Sequence, residues 1–405
     1  MIPRLKPWLG KEEFGALFRG DKSSVGRFEK EFAKEFQSVD AVAFPYGRSA
    51  LWAFLKSVGI QGAEVVMPAY TCSVVAHAIS LSDNTPVFVD ICDPDYNMDL
   101  TLLSEAITER TRAVVATHLF GYPMDIDRVE AIITDAEARY GHKIWLIQDC
   151  AHSFGASWEG RMVGTSGDVA LYGLNISKMM TSIFGGMLTF QDQALADKVR
   201  AWRDSHFEQP RMAKSWLRRL YLLAIYIAFN ERIYGITWWL QEKTPLLNKL
   251  TKSYHLDDKI HFPPDYLDRM LPVEAEVGLE QLKKYPQIIA RRRAAAEWYN
   301  EHLVATEGWS FPPLVDGATY SHYVVTYGDR QSVIDSLADK GIQLGCLIEY
   351  SVPELNSYAS KMEFEVSSTK KSRTINLPVG PYVGKRTALI SDAFNEEIKK
   401  QAHNL

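Results

Sequence analysis

The sequence has few cysteines, and none of them is spaced as a pair. The four cysteines, Cys72, Cys92, Cys150 and Cys346, lie far apart and form no Cys-x-x-Cys motif. Zinc sites and the disulfide frameworks of secreted domains both need clustered cysteines. Isolated cysteines are typical of proteins whose thiols stay reduced. The spacing therefore predicts a cytoplasmic protein with neither a zinc site nor a disulfide framework.

The sequence also lacks clusters of one charge, repeats and long apolar runs. The 405 residues carry a net charge of −5, and no lysine- or arginine-rich run indicates nucleic-acid binding. The first residues, "MIPRLKPWLGKEEFG", are charged and interrupted by prolines, unlike a signal peptide. The apolar run 220–229 is shorter than the roughly 20 residues that cross a bilayer. These features indicate a globular protein with a sizeable core and room for two domains.

Short apolar runs alternate with helical patterns through much of the chain. In the helical pattern 49–59, Leu51, Phe54, Leu55 and Val58 share one face, and 125–141 shows the same periodicity. Apolar strands separated by helices predict an α/β fold with a mostly parallel sheet covered on both faces. The strand-like runs are 64–70, 85–91, 112–121, 143–150, 168–174 and 185–190.

A second, smaller unit is expected after residue 270. Residues 273–304 read as a long helix that Pro286 should kink or divide. A strand-like run, a helical run and another apolar run follow it, at 320–328, 330–341 and 342–348. We therefore predict a large domain over 1–270 and a small C-terminal α/β domain over 271–405.

The end of one predicted strand carries a carboxylate and an imidazole. In "WLIQDCAHSFGA", Asp149 closes the apolar run and His152 follows three residues later. Ligands of open α/β sheets bind at the carboxyl ends of the strands, which favours a site here. The alternative is an ordinary turn in which Asp149 is a capping residue.

Two further features lie near predicted strand ends. Gly47, Arg48 and Ser49 open a helix, where backbone N–H groups suit a phosphate, unless Ser49 is only an N-cap. Lys178 lies between two strand-like runs and is either a solvated lysine or a primary amine with a function. A phosphate site, a buried carboxylate and an amine together are what pyridoxal 5′-phosphate (PLP) needs.

The sequence resembles the DegT/DnrJ/EryC1/StrS family of sugar aminotransferases over nearly its whole length. The resemblance is carried by "GRSALWAFLKSVGIQGAEVVMPAYT", "TPVFVDICDPDYNMDLTLLSEAITERTRAVVATHLFGYPMD" and "QDCAHSFGASWEGRMVGTSGDVALYGLNISKMMTSIFGGM". The start "IPRLKPWLGKEEF", the later "DRMLPVEAEVGLEQLKKYPQIIARRR" and "INLPVGP" complete it in collinear order. The resemblance implies a fold-type I PLP-dependent transferase, with a large domain around a seven-stranded type of sheet and a small C-terminal domain.

The resemblance also implies roles for individual residues. Lys178 would bind PLP as a Schiff base and then move the substrate proton, which requires a neutral amine and a lowered pKa. Asp149 would keep the pyridine nitrogen protonated, and His152 would bond to the phenolic oxygen of the cofactor. The phosphate would be held by Gly47, Arg48 and Ser49.

Several positions depart from the family pattern. Cys72 takes the place of an aromatic residue that stacks on the cofactor, so Tyr70 or another group must cover that face. Asn175 replaces a histidine; we still expect Cys72 and Asn175 to contact the cofactor. The other departures are Gly173 for a phosphate-binding serine, Leu267 for an asparagine lent across the dimer interface, and Phe184-Gly185-Gly186 for Glu-Gly-Gly.

An apparent insertion at about 208–262 contains a segment, 216–250, that is rich in leucine, isoleucine, tyrosine and tryptophan. We expect helices buried in the homodimer that the family forms. The alternative is a hydrophobic surface for peripheral membrane contact or for an apolar substrate.

The sequence thus predicts a PLP-dependent aminotransferase that moves an amino group from glutamate to a keto-sugar, commonly nucleotide-linked, in polysaccharide or glycoconjugate biosynthesis. Two alternatives remain open. "DCAHSFG" and "SKMMTSIFGGM" are also similar to acyltransferases of the α-oxoamine synthase kind, and a regulatory descendant of the fold would be non-catalytic.

Overall fold

The computed structural model describes residues 1–243, 259–360 and 362–402. Its strands are β1 Asp40–Phe44, β2 Glu64–Pro68, β3 Thr85–Val89, β4 Thr111–Thr117, β5 Trp145–Asp149, β6 Ser157–Trp158, β7 Arg161–Met162, β8 Val169–Gly173, β9 Gly186–Phe190, β10 Tyr323–Thr326 and β11 Thr374–Leu377. Its helices are α1 Lys11–Ala16, α2 Ser24–Glu35, α3 Gly47–Ser57, α4 Ser73–Leu81, α5 Leu100–Ala106, α6 Ile126–Tyr140, α7 Gln193–His206, α8 Met212–Ala228, α9 Tyr234–Lys243, α10 Pro272–His302, α11 Arg330–Asp339, α12 Glu365–Arg373 and α13 Arg386–Ala402.

The large sheet has seven strands in the order β1-β9-β8-β5-β4-β2-β3. The strands run parallel except β9, which is antiparallel to both β1 and β8. The prediction of an α/β fold around a mostly parallel sheet is therefore confirmed. Strand β1, which pairs with β9, was not among the predicted runs.

Helices cover both faces of this sheet, as the apolar strands require. In β1, Val42 and Phe44 join the core formed with α3, α4 and α7, whereas Ala41 and Ala43 join the core formed with α2 and α10. Successive side chains of a strand point to opposite faces, so both faces of β1 are buried. Helices α5 and α6 cover the far end of the face on which α2 and α10 pack.

A second core surrounds the antiparallel pair β10–β11 and consists mainly of C-terminal residues, although Tyr70, Phe120 and Tyr122 also belong to it. Of the two outcomes expected at Pro286, a kink or a division, the structure excludes division, because helix α10 runs unbroken through this proline. The run 342–348 contributes two isolated bridges, Ile342 with Ile2 and Gly345 with Asn376, rather than a strand. Leu282 of α10 packs in the core beneath the large sheet and Tyr299 packs in the C-terminal core. One helix therefore contributes to both cores, and the boundary at residue 270 remains a prediction.

The predicted insertion begins as two helices, α8 and α9, and 244–250 of the apolar segment lie outside the described residues. Leu222 of α8 and Tyr234 of α9 are buried, while many of their other apolar side chains are exposed. In the part of the chain that the structure describes, no helix combines the length and apolar character needed to cross a membrane.

Candidate active site

A cavity of about 720 Å³, including its open mouth, lies at the edge of the sheet where β1, β2, β4, β5 and β8 end and β9 begins. Seven of the eight predicted site residues line it: Gly47, Arg48, Cys72, Asp149, His152, Asn175 and Lys178. The predicted convergence of separate strand ends is thus what the fold produces. Other lining residues include Tyr46, Thr71, Thr117, Leu119, Gly173 and Gly185.

Asp149 is the last residue of β5 and is 5% exposed. Burial raises the pKa of its carboxyl above the ordinary value, while a hydrogen bond from the backbone N–H of Ala151 (3.0 Å) and the amine of Lys178 favour the charged form. A buried carboxylate with so few partners can still pair with a cation in the cavity. A capping aspartate in an ordinary turn would not need to be buried in this way.

Lys178 lies in the loop between β8 and β9. Burial lowers the pKa of its amine, an effect that the neighbouring Cys72 and Asp149 oppose. Desolvation therefore favours the neutral amine, which is the form that acts as a nucleophile or accepts a proton. Lys178 is thus not a solvated surface lysine.

His152 lies beside a second histidine that the sequence analysis did not assign. His322, just before β10, has its ring centre 5.3 Å from that of His152 and interacts electrostatically with Lys178. Burial first, and then the charges of Lys178 and His322, hold the pKa of His152 well below its ordinary value. Its ring is therefore neutral, and its Nδ1 atom is buried without a hydrogen-bond partner.

The sequence contained no local sign of a role for His322. It lies in the strand-like run "YSHYVVTYG", and β10 begins at the next residue, Tyr323. The sequence alone did not show that the C-terminal core places this residue against β5.

The N-terminus of α3 forms another wall of the cavity. Its N-cap, Tyr46, makes no side-chain capping bond, so the first N–H groups of the helix remain available to an anion. Gly47 and Arg48 line the cavity there. Ser49 does not: it is wholly buried, and its hydroxyl has no hydrogen-bond partner. The Ser49 side chain therefore does not line the cavity, and it does not make the hydrogen bond of an N-cap.

Glycine at position 186 lets β9 approach the start of α3. A Cβ atom there would lie 2.5 Å from the backbone nitrogen of Gly47 and 2.5 Å from the carbonyl of Tyr46. Backbone atoms cannot give way as the end of a flexible side chain can. The position of the helix N-terminus therefore depends on this glycine.

We expect Gly186→Ala to displace the start of α3, to cost about 1–3 kcal/mol of unfolding free energy, and to weaken PLP binding. Denaturant melts and fluorescence titration of the apoenzyme with PLP measure the two effects. Gly15→Ala is the matched control, because a Cβ atom at that helical glycine meets nothing within 4 Å. Unchanged stability and affinity in Gly186→Ala would contradict this interpretation.

The suggestion that Tyr70 covers the cofactor in place of the missing aromatic residue is wrong. Tyr70 is wholly buried, donates its hydroxyl to the carbonyl of Ile348 (3.0 Å) and packs against Tyr96. Cys72, the N-cap of α4, lines the cavity itself. Val74 and Val75 line the same wall, which is therefore aliphatic beside the thiol.

An ion network from α8 reaches the cavity wall, and the sequence analysis did not predict it. The hydroxyl of Tyr46 donates to Asp265 (2.7 Å) and accepts from Arg218 of α8 (3.0 Å). Arg218 also pairs with buried Glu274 (3.0 Å) and lies over the ring of Phe184 (3.9 Å). Residues more than 30 positions apart meet here, which no local pattern predicts.

The residues of the cavity fit PLP. A buried carboxylate, a desolvated amine and a helix N-terminus face one space, as the ring nitrogen, the aldehyde carbon and the phosphate require. Two lining residues, His152 and Thr117, also have buried polar atoms without partners, Nδ1 and Oγ1, that a polar ligand would satisfy.

Comparison with known proteins agrees with this geometry. Residues 14–237 and 241–390 match the DegT/DnrJ/EryC1/StrS aminotransferase family. The spore coat polysaccharide biosynthesis protein SpsC of Bacillus subtilis (strain 168) is 28% identical over 404 residues, covering 94% of this chain and 92% of its own. GDP-perosamine synthase of Escherichia coli O157:H7 is 26% identical over 378 residues, covering 92% and 89%.

The fold agrees as well. The crystal structure of the sugar aminotransferase CalS13 from Micromonospora echinospora superposes with a TM-score of 0.76 at 20% identity, over 98% of this chain and 100% of that one. PseC of Helicobacter pylori, an aminotransferase involved in the biosynthesis of pseudoaminic acid, gives 0.77 at 17% identity, over 98% and 99%. The family match favours aminotransfer over the acyl transfer that the sequence had left open. The chain belongs to the DegT/DnrJ/EryC1/StrS aminotransferase family and is a PLP-dependent aminotransferase of fold type I.

Proposed function

We propose that this aminotransferase moves an amino group from glutamate to a keto-sugar, carried on a nucleotide, for a cell-surface polysaccharide or glycoconjugate. The observation that carries the proposal is the cavity in which Lys178 and Asp149 converge, in a chain of this family. The relatives give the acceptor class. They include a GDP-perosamine synthase, a dTDP-3-amino-3,4,6-trideoxy-alpha-D-glucose transaminase and a spore coat polysaccharide protein.

The predicted site residues that line the cavity each have a role in this proposal. PLP supplies an electron-withdrawing ring when bound. Lys178, whose desolvation favours the neutral amine, holds the cofactor and moves the proton at the substrate carbon. Asp149 keeps the ring nitrogen protonated, and neutral His152 bonds to the phenolic oxygen. The start of α3, with Gly47 and Arg48, binds the phosphate.

Cys72 and Asn175 have smaller roles in the proposal. Asn175 accepts hydrogen bonds from the backbone N–H (3.0 Å) and the hydroxyl (2.6 Å) of Ser177, which orders the loop that carries Lys178. Cys72 covers part of one face of the ring, with the aliphatic side chains beside it.

We infer that the active enzyme is a homodimer, as the resemblance implies. Leu267 stands where the family has an asparagine that crosses the interface, and it packs on the core of its own chain instead. Light scattering after size exclusion measures the assembly, and a monomer with full activity would contradict the inference.

The function is tested in two half-reactions. We expect glutamate to convert the bound cofactor to its amine form with release of 2-oxoglutarate, which absorbance and a coupled dehydrogenase assay detect. Adding a panel of nucleotide-linked keto-sugars should restore the original spectrum and yield an amino-sugar by mass spectrometry. An enzyme that ignores glutamate but releases coenzyme A thiol from an acyl-CoA would contradict the proposal and favour the acyltransferase alternative.

A further inference from the structure

Helix α8 is fixed to the protein along one side only. Leu222 is fully buried among residues of α1 and α10, with Tyr221 and Leu223 packed beside it. Lys214 pairs with Asp265 (2.7 Å), and Arg218 pairs with Glu274 (3.0 Å). The inner side of the helix therefore has both apolar and ionic anchors.

The outer side of α8 is apolar and exposed. Trp216, Leu220 and Ile227 are 65%, 59% and 64% exposed, at the spacing of a single helix face. The exposed alanines 213 and 224 lie in the same stripe. Helix α9, which follows α8 in the chain, also exposes two large apolar side chains, Ile236 by 63% and Trp239 by 53%. We call the surface formed by Met212, Trp216, Leu217, Leu220, Ile227, Ile236 and Trp239 the α8–α9 face.

The charged side chains around this face are basic, although the chain as a whole has a net charge of −5. Helix α8 contains three cations and no acidic residue. Arg211 and Arg232 are exposed at its two ends, and Arg219 lies over the ring of Trp216 (5.7 Å). Within the residues that the structure describes, none of these three arginines forms an ion pair with a carboxylate. The face thus combines apolar side chains, tryptophan included, with a cationic margin.

We propose that the α8–α9 face docks on an anionic lipid surface. Exposed tryptophan and leucine beside arginine are the composition of a helix that lies in a membrane interface, and anionic headgroups complement the arginines. A second copy of the chain fits less well. A two-fold interface would bring the same face against itself, with arginines meeting arginines. The carboxylate at the α8–α9 turn, Glu231, already pairs with Lys6 and Arg386.

The surface and the cavity share this helix. Arg218, on the inner side of α8, bonds to Tyr46 of the cavity wall, whereas Trp216 and Leu220 lie on the outer side. Docking through the outer side therefore leaves the catalytic residues untouched. The proposal rests on the surface alone and stands whether or not the sugar acceptor is correct.

Cosedimentation of the full-length PLP-loaded enzyme with vesicles tests the proposal. We expect binding to phosphatidylcholine vesicles that contain phosphatidylglycerol, much less binding to pure phosphatidylcholine, and release by salt. Trp216→Glu and Leu220→Glu should each lower the bound fraction about tenfold by placing a carboxylate in the interface. Arg211→Gln with Arg219→Gln should remove most of the preference for the anionic lipid.

Leu102→Glu is the matched control, since Leu102 is 40% exposed on α5, which packs on β3 and α6. It should sediment like the wild type, and all variants should keep wild-type activity on soluble substrates. Two results would overturn the proposal. One is no sedimentation of the wild type at low salt. The other is dissociation of a dimer by Leu220→Glu but not by Leu102→Glu in light scattering, which would make the face a contact between copies of the chain.

Discussion

Lys178→Ala should abolish aminotransfer while leaving the fold intact. The variant loses both the amine that holds PLP and the group that moves the substrate proton, and positioned acid–base groups alone contribute about 10²–10⁴-fold to a rate. A desolvated amine with a lowered pKa stabilises the fold little. We therefore expect the unfolding free energy to change by less than about 1 kcal/mol. Steady-state assays and denaturant melts measure the two quantities.

Two control variants separate charge from chemistry at this position. Lys178→Arg keeps a cation but cannot form a Schiff base, so it should be as inactive as the alanine variant. Lys143→Ala removes a lysine that pairs with Glu137 and Asp168 at the other edge of the sheet, and it should stay active. Turnover by Lys178→Ala at the wild-type rate would show that another residue performs the chemistry.

Asp149→Asn should lower kcat by about 10²–10³-fold, the range for loss of one preorganised electrostatic contact in an active site. An amide keeps the shape of the carboxyl but cannot hold a proton on the ring nitrogen by charge. Asp168→Asn is the control: Asp168 accepts a hydrogen bond from the backbone of Leu146 (2.8 Å) far from the cavity. A near-normal kcat in Asp149→Asn would mean that another acid protonates the ring.

The raised pKa of Asp149 adds a pH dependence to cofactor binding. Because burial raises this pKa in the empty site, protonation begins at a higher pH than for a solvated aspartate. PLP binding that uses the charged carboxylate should therefore weaken as the pH falls through that pKa. The phosphate of PLP titrates equally in both proteins, so the difference between wild type and Asp149→Asn isolates the carboxylate. Parallel affinity–pH curves would contradict the assignment.

The sequence predicted the centre of the site well because parallel strands end at one edge of a sheet. Asp149 closes a predicted apolar run, and Gly47 opens a predicted helix, although the strand before that helix, β1, was not predicted. Thr117 ends β4 in the same way and could have been predicted by the same argument. Lys178 needed the family resemblance, because nothing local distinguishes it from a solvated lysine.

The remaining features of the site depend on tertiary packing that no local pattern contains. His322 reaches His152 because the C-terminal core packs against the large sheet. Tyr70 turns away from the cavity because its hydroxyl finds the carbonyl of Ile348. Helix α10 continues through Pro286 because packing on both cores outweighs the loss of one backbone hydrogen bond.

The most direct test of the central claim is to find where PLP is attached. Borohydride reduction of the purified holoenzyme fixes the cofactor to its lysine, and peptide mass spectrometry then locates the modified residue. We predict a pyridoxyl group on Lys178, lost in Lys178→Arg and retained in Lys143→Ala. A pyridoxyl group on a different lysine, or none on the reduced wild-type enzyme, would contradict the assignment of this cavity as the active site.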